Sequence, residues 1–174
     1  MKKTHASAVA ALALGISFVA WAKKAPASPP AETSATIGGK QVKIDYSAPS
    51  AKGRKIFGEL VPNGEVWRTG ANAATTLTTE VDLLVKDLKV PKGKYTLFTL
   101  PAEGGLTLIV NKQTGQSGLE YDAKQDLGRV KMTVSKPAAM VEQLKYTLSA
   151  TGGNKGKLQL AWEHSEAAVT FTAK

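Results

Sequence analysis

Alternation of apolar and polar side chains with a period of two is the feature that most restricts the fold of this chain. It is clearest in four runs, over residues 42–46, 130–134, 144–148 and 158–162. On an extended strand this period puts the apolar side chains on one face and the polar side chains on the other. Antiparallel sheets with one packed face and one solvated face carry this pattern. We therefore predict an all-β, antiparallel fold.

Turn residues separate the alternating runs at short intervals. Gly38-Gly39 suits a two-residue hairpin loop, and Gly104-Gly105 and the sequence GGNKG at 152–156 separate further pairs of runs. About nine short strands with this spacing are typical of an antiparallel β-sandwich or a jelly-roll-like arrangement. We predict that architecture here.

One long segment, about residues 48–73, lacks the alternation and is predicted to be irregular. Within it, the sequence GRKIFGEL favours a short helical turn. We expect Ile56, Phe57 and Leu60 of that turn to dock on the sheets.

The N-terminal residues 1–22 have the pattern of a secretory signal. A charged start is followed by an apolar run over residues 8–20 and by an A-x-A site that ends at Ala22. The apolar run is shorter than the roughly 20 residues that a membrane span needs. We therefore predict cleavage after Ala22 and an exported protein, periplasmic or secreted, with no membrane span after signal removal.

The remaining chain divides into two parts by composition. Residues 23–33 are rich in Pro and Ala and are predicted to be a flexible lead-in. Residues 34–174 are predicted to fold as a single β-sandwich domain. This domain is long enough to bury roughly two-thirds of its unfolded surface.

Composition excludes several kinds of chemistry. The chain contains no cysteine, so it has no disulfide, no thiolate metal site and no cysteine nucleophile. After signal removal it retains one histidine, His164, whereas zinc sites use three or four protein ligands. The sequence GGNKGK departs from a phosphate-binding loop because Leu158, and not Ser or Thr, follows Lys157. We predict no metal and no cofactor.

The chain is basic, with a formal net charge of +9 that falls to +7 when Lys2 and Lys3 leave with the signal. Lysines are dispersed along predicted strand positions, in runs of at most two. Dispersed charge of this kind is typical of a solubilised surface, and a clustered basic patch would be expected for nucleic-acid binding. We predict no nucleic-acid partner.

The sequence VWRTGAN, residues 66–72, lies at the end of the irregular segment and carries its most distinctive side chains. Arg54 and Arg68 can grip a carboxylate or phosphate, and Trp67 can supply a flat apolar floor. Asn72 can add hydrogen bonds as donor and acceptor. One interpretation is therefore a binding module for a small anionic or sugar-like ligand.

Two other interpretations of the segment stay open at this level. Irregular backbone that is buried needs hydrogen-bond partners, and an arginine paired with Glu59 or Glu65 can act as a core latch. The chain would then be a structural or interaction domain of the cell envelope. The third interpretation is a hydrolase that uses Glu59 or Glu65 with support from Arg54 and Arg68. We rank it last, because general acid–base groups are few, and we favour a protein that is not an enzyme.

Four stretches of the chain are distinctive as a set: DYSAPSAKGRKIFGELVPNGEVWRTGANAATTL, VPKGKYTLFTLP, LIVNKQTGQSG and LQLAWE. Through these stretches, residues 34–172 resemble the bacterial domain-of-unknown-function 2911 family. The resemblance implies an exported, mostly β domain without an established activity. Family members often carry Arg at the position of Ala48 and Trp at the position of Ser117. The positions that match the family's motif are Gly53, Arg54, Ile56, Gly58, Leu60, Pro62, Trp67, Arg68, Gly70, Ala71, Asn72 and Thr75.

Overall fold

The computed structural model describes residues 26–174, and the predicted signal sequence lies outside these residues. Nearly all regular structure in the described part is antiparallel strand, with one short 3₁₀ turn at Ala123–Gln125. No helix in this part is long and apolar enough to cross a membrane. The strands are β1 Pro30–Ile37, β2 Lys40–Ser47, β3 Thr76–Thr79, β4 Leu83–Val85, β5 Leu88–Val90, β6 Gly93–Ala102, β7 Gly105–Asn111, β8 Asp126–Ser135, β9 Val141–Gly152, β10 Lys155–Glu163 and β11 Ser165–Ala173.

Nine strands form one continuous path in the order β1-β2-β3-β6-β7-β8-β11-β10-β9, and β4 joins the sheet by pairing with β11 and carries β5 on its other side. Strand β8 turns the corner, because its first part pairs with β7 and its last part pairs with β11. The sheet curls until β9 lies beside β1, where the Leu148 N–H donates to Thr33 Oγ1 at 3.1 Å. The all-β, antiparallel prediction is confirmed, and both layers belong to one sheet that nearly closes into a barrel.

The alternating runs supply the interior of this barrel. The alternating apolar side chains of residues 42–46, 144–148 and 158–162 are buried, as the pattern predicted, and Ala161, which interrupts the alternation, is half-buried. In the fourth run Val130 and Met132 are buried, but Val134 is exposed because it lies one residue before β8 ends. The alternation thus identifies the interior face of these four strands except near the end of β8, where Val134 is exposed although it pairs with Ala167 of β11.

The predicted lead-in at residues 23–33 is wrong for residues 30–33, which begin β1. Pro30 pairs with Ser47, and the strand continues in register to Ile37. The inward-facing residues of β1 include Ala31 and Thr33, which are too small to give a strong hydrophobic signal. Pro30 fits because the first residue of an edge strand needs no ladder donor.

The predicted helical turn in the irregular segment is also wrong. The chain forms no helix there, only separate hydrogen-bonded turns. The Val61 N–H donates to the Ile56 carbonyl at 2.9 Å, which closes a loop wider than a helical turn. Ile56 is buried as expected, and Val61 is buried in place of the exposed Leu60. The wider turn moves the docking position from residue 60 to residue 61.

The irregular segment runs alongside the edge of β6, because β3 pairs with only part of that strand. Strand β3 pairs with β6 only as far as Thr96. Beyond this point Trp67 and Thr99 exchange two backbone hydrogen bonds, of 2.7 and 2.9 Å, and the Gly64 N–H donates to the Pro101 carbonyl at 2.8 Å. Pairing with β6 therefore satisfies this edge and fixes Trp67 beside the barrel.

Candidate functional site

A cavity of about 530 Å³ opens beside the irregular segment. Its wall comes from the segments around residues 27–28, 49–54, 60–71 and 118–121, together with Phe98 of β6 and Trp162 of β10. Small-molecule sites usually measure about 300–1,000 Å³. Three of the four predicted ligand-binding residues, Arg54, Trp67 and Arg68, lie together in this wall.

Most N–H donors of the Arg68 guanidinium have no hydrogen-bond acceptor within residues 26–174. Its side chain is half-buried, and Nε donates to the Gly70 carbonyl at 3.2 Å. Within residues 26–174 it forms no ion pair and no other side-chain hydrogen bond. A guanidinium has five N–H donors. The remaining donors of Arg68 can therefore serve a ligand in the cavity.

Arg54, unlike Arg68, uses two of its nitrogens to bond backbone carbonyls of its own loop. Its Nε donates to the Ala51 carbonyl at 2.8 Å, and Nη2 donates to the Ser50 carbonyl at 2.7 Å. The side chain folds back over its own loop while it remains exposed. Arg54 thus holds the shape of the cavity rim and adds positive charge there.

Trp67 is held in place by two other aromatic side chains. Its ring stacks on Trp162 with a centroid distance of 5.6 Å and an interplanar angle of 14°. Phe57 contacts the ring edge to face at 5.9 Å. Trp162 is buried, whereas Trp67 is half-buried and lines the cavity. The Trp67 ring therefore offers a fixed apolar surface to a ligand.

Thr69, two residues after Trp67, anchors the irregular segment to the barrel. It is 0% exposed and adopts a left-handed backbone with φ of 53°. Its hydroxyl lies 3.0 Å from the Trp67 carbonyl and 3.1 Å from Thr99 Oγ1. Its carbonyl accepts hydrogen bonds from Thr75 Oγ1 at 3.0 Å and from the Tyr146 hydroxyl at 3.3 Å. Thr69 is therefore the latch of the segment, a residue that our sequence analysis missed.

A second loop, residues 112–122, crosses the segment closely and completes the cavity. At Gly118 a Cβ atom would lie 2.8 Å from the Asn72 carbonyl oxygen and 3.1 Å from Arg68 Cδ. Only glycine permits this approach. The crossing brings Leu119 and Tyr121 to the cavity wall. No sequence pattern marks these two residues, since the loop lacks periodicity.

Tyr121 contributes its ring to the cavity while its hydroxyl is bonded elsewhere. The hydroxyl donates to Asp126 Oδ2 at 2.7 Å and accepts from Arg129 Nη2 at 2.7 Å. The ring packs edge to face on Phe98 at 4.9 Å. Burial, with the bond to Asp126, raises the pKa of the Tyr121 hydroxyl above its usual value. Tyr121 therefore acts as a fixed, neutral aromatic wall.

The other predicted site residues, Asn72, Glu59 and Glu65, do not line the cavity. Asn72 is exposed, has φ of 57°, and donates from Nδ2 to the Ser28 carbonyl at 3.3 Å. Glu59 is exposed and pairs with Lys55 at 3.5 Å. Glu65 is exposed, and neither glutamate lines the cavity or pairs with an arginine within the described residues.

The charged side chains that line the cavity are all cationic. Lys52, which the sequence analysis did not single out, joins Arg54 and Arg68 in the wall, and no Asp or Glu lines it. The Lys52 backbone N–H is fixed by Glu142 Oε1 at 2.9 Å. Three cations without an acidic neighbour in the wall favour an anionic occupant. No group of three or more His, Asp or Glu suited to a metal ion occurs in residues 26–174.

Comparison with known proteins identifies the family. A family model described as protein of unknown function (DUF2911) matches residues 28–171, which is most of the chain. Comparisons with curated proteins and with solved structures found no match. The resemblance noted in the sequence is thereby confirmed. The chain belongs to the DUF2911 family of proteins of unknown function.

Proposed function

We propose that the protein is a binding module for a small anionic ligand, which Arg68 holds in the cavity beside Trp67. The observation that carries this proposal is the half-buried Arg68 guanidinium, which lines a cavity free of acidic side chains. Hydrogen bonds from such a group to a carboxylate or phosphate are short and strong. As part of the same proposal, the signal-like residues 1–22 direct the protein out of the cytoplasm, so that it meets its ligand in the periplasm or the medium.

An anion suits the wall better than a neutral sugar does. Sugar hydroxyls need hydrogen-bond acceptors as well as donors, and carboxylates or amides usually provide them. No Asp, Glu, Asn or Gln side chain lines this cavity. The charged side chains of the wall, Lys52, Arg54 and Arg68, are all donors.

The two alternative functions have weaker support. The core-latch role belongs to Thr69, and it uses neither the Trp67 ring nor the free donors of Arg68. A latch therefore does not explain the cavity. A hydrolase based on Glu59 or Glu65 would need one of these carboxylates at the cavity, and both lie outside its wall.

Calorimetric titration of the mature chain, residues 23–174, tests the proposal. We expect glucuronate and inorganic phosphate to bind and glucose not to bind. Replacing Arg68 by Gln should weaken anion binding about 10- to 100-fold, because a hydrogen bond to a charged group contributes about 1.5–3 kcal/mol. The matched control is Lys145→Gln, an exposed cation on β9 outside the cavity, which should change affinity less than twofold. Equal anion affinity in wild type and Arg68→Gln would refute the proposal.

A further inference from the structure

The cavity has an apolar side that charge alone does not explain. Large hydrophobic residues that stay exposed in the described part of the chain are Leu60, Leu119, Val134 and Met140. Two of the four, Leu60 at 46% and Leu119 at 79% exposed, lie in the wall of this one cavity. Single exposed leucines are ordinary, but exposed apolar residues that cluster at a concave site indicate an apolar contact.

The aromatic side chains extend this apolar surface into the cavity. Trp67 and Tyr121 are the half-buried members, and they rest on the buried rings of Trp162 and Phe98. The Tyr121 hydroxyl is engaged by Asp126 and Arg129, so a ligand meets the ring and not the hydroxyl. Both rings are held rigidly, which lowers the entropy lost when a ligand packs against them.

Cationic and apolar groups thus share one wall. Arg68 and Trp67 are adjacent in sequence, and the 118–121 loop that brings Leu119 and Tyr121 packs directly on Arg68 Cδ through Gly118. A polyhydroxylated anion would leave the leucines and rings facing hydroxyl groups. A bare inorganic anion would leave them facing water.

We propose that the ligand is an amphiphilic organic anion, a carboxylate or phosphate monoester whose remaining part is an aromatic ring or a short hydrocarbon. The anionic group binds at Arg68, and the apolar body packs between Trp67, Tyr121 and the leucines of the rim. This inference rests on the proposed anion-binding function and specifies the ligand class of the same site.

Titration of the mature chain with four matched probes tests the inference. 2-Naphthoate carries both features, 2-naphthylmethanol has the ring without the charge, glucuronate has the charge on a polyhydroxylated body, and octanoate has the charge on an aliphatic body. We expect the Kd of 2-naphthoate or octanoate to be at least tenfold below that of glucuronate. We also expect the Kd of 2-naphthylmethanol to be at least tenfold above that of 2-naphthoate. The better of the two amphiphiles identifies the body as aromatic or aliphatic.

A rim variant ties the effect to this cavity. Leu119→Ser should weaken binding of the better amphiphile about three- to tenfold, as expected for partial loss of one leucine contact. It should weaken glucuronate binding less than it weakens binding of the better amphiphile. Val134→Ser removes another exposed apolar side chain, 41% exposed, from a different groove and should have no effect on either probe.

The outcomes separate this inference from the proposed function. If glucuronate binds through Arg68 as tightly as both amphiphiles, the amphiphile inference is wrong and anion binding stands. An unchanged affinity of Leu119→Ser for the better amphiphile also overturns the inference. If no probe shows binding that depends on Arg68, both the inference and the proposed function are wrong.

Discussion

Thr69→Val is the substitution that most directly tests how the segment 66–72 is held. Valine keeps the branched shape of threonine, so the strain of the left-handed backbone at this position is unchanged. Only the hydroxyl is lost. Because a hydroxyl has one proton, Thr69 donates to the Trp67 carbonyl and accepts from the Thr99 hydroxyl.

The expected loss follows from what each partner does afterwards. The Trp67 carbonyl still accepts from the Thr99 N–H at 2.9 Å, so it remains satisfied. The Thr99 hydroxyl is 1% exposed and loses its partner. A buried polar group left unpaired costs about 1–3 kcal/mol, and each lost hydrogen bond costs about 1 kcal/mol. We expect about 2–4 kcal/mol in total, or a fall in Tm of roughly 6–15 °C for a domain of this size.

Differential scanning calorimetry of residues 23–174 measures this effect. Thr78→Val, on the outer face of β3, is the matched control and should shift Tm by less than about 2 °C, since a surface change of this kind is usually within 0.5 kcal/mol. Arg68→Ala loses one 3.2 Å hydrogen bond and should cost about 1 kcal/mol or less. A stable Thr69→Val protein, or a larger fall in Arg68→Ala than in Thr69→Val, would refute the assignment of the latch to Thr69.

Three further predictions concern other parts of the molecule. Gly156→Ala should lower Tm by about 3–10 °C, because the new Cβ would overlap the buried Phe171 ring and overpacking costs about 1–3 kcal/mol. Gly105→Ala is the control: its Cβ has room, so Tm should change little in the same calorimetric scan. Burial raises the pKa of Tyr146, so the tyrosine ionises at lower pH in the unfolded chain than in the folded chain, and stability is lost as pH rises above about 10. Tyr146→Phe should make this loss of stability with pH less steep in urea titrations. An unchanged slope would contradict the prediction. Asn72→Gly should keep anion affinity within twofold of wild type by calorimetry, because Asn72 does not line the cavity. A tenfold loss of affinity would show that Asn72 contributes to binding.

The barrel interior could be predicted from sequence because its signal is local. Alternation over residues 144–148 and 158–162 depends only on which side of a strand each residue faces. Closure of the sheet could not be predicted, since it depends on β9 meeting β1 across more than 100 residues. The start of β1 escaped notice because Ala31 and Thr33 are small and Pro30 suggests a linker.

The candidate site was predictable in part for a similar reason. Trp67 and Arg68 stand out because a large aromatic and a cation are unusual in an irregular segment. Lys52, Leu119 and Tyr121 join them through a crossing of two distant loops, and no sequence period marks such a crossing. The roles within the segment could not be assigned either, since the latch depends on hydroxyl and carbonyl partners that only the folded chain brings to Thr69.

The latch and the proposed site share one short stretch of backbone, and this has a consequence for binding. Thr69 is fixed by Tyr146 from the barrel interior, and Trp67 is paired with β6. Arg68 lies between these two anchors, so its backbone is set before any ligand arrives. A preorganised group loses little entropy on binding. The hydrogen bonds that hold the segment therefore support affinity as well as stability, and Thr69→Val should weaken anion binding even though Thr69 lies outside the cavity wall.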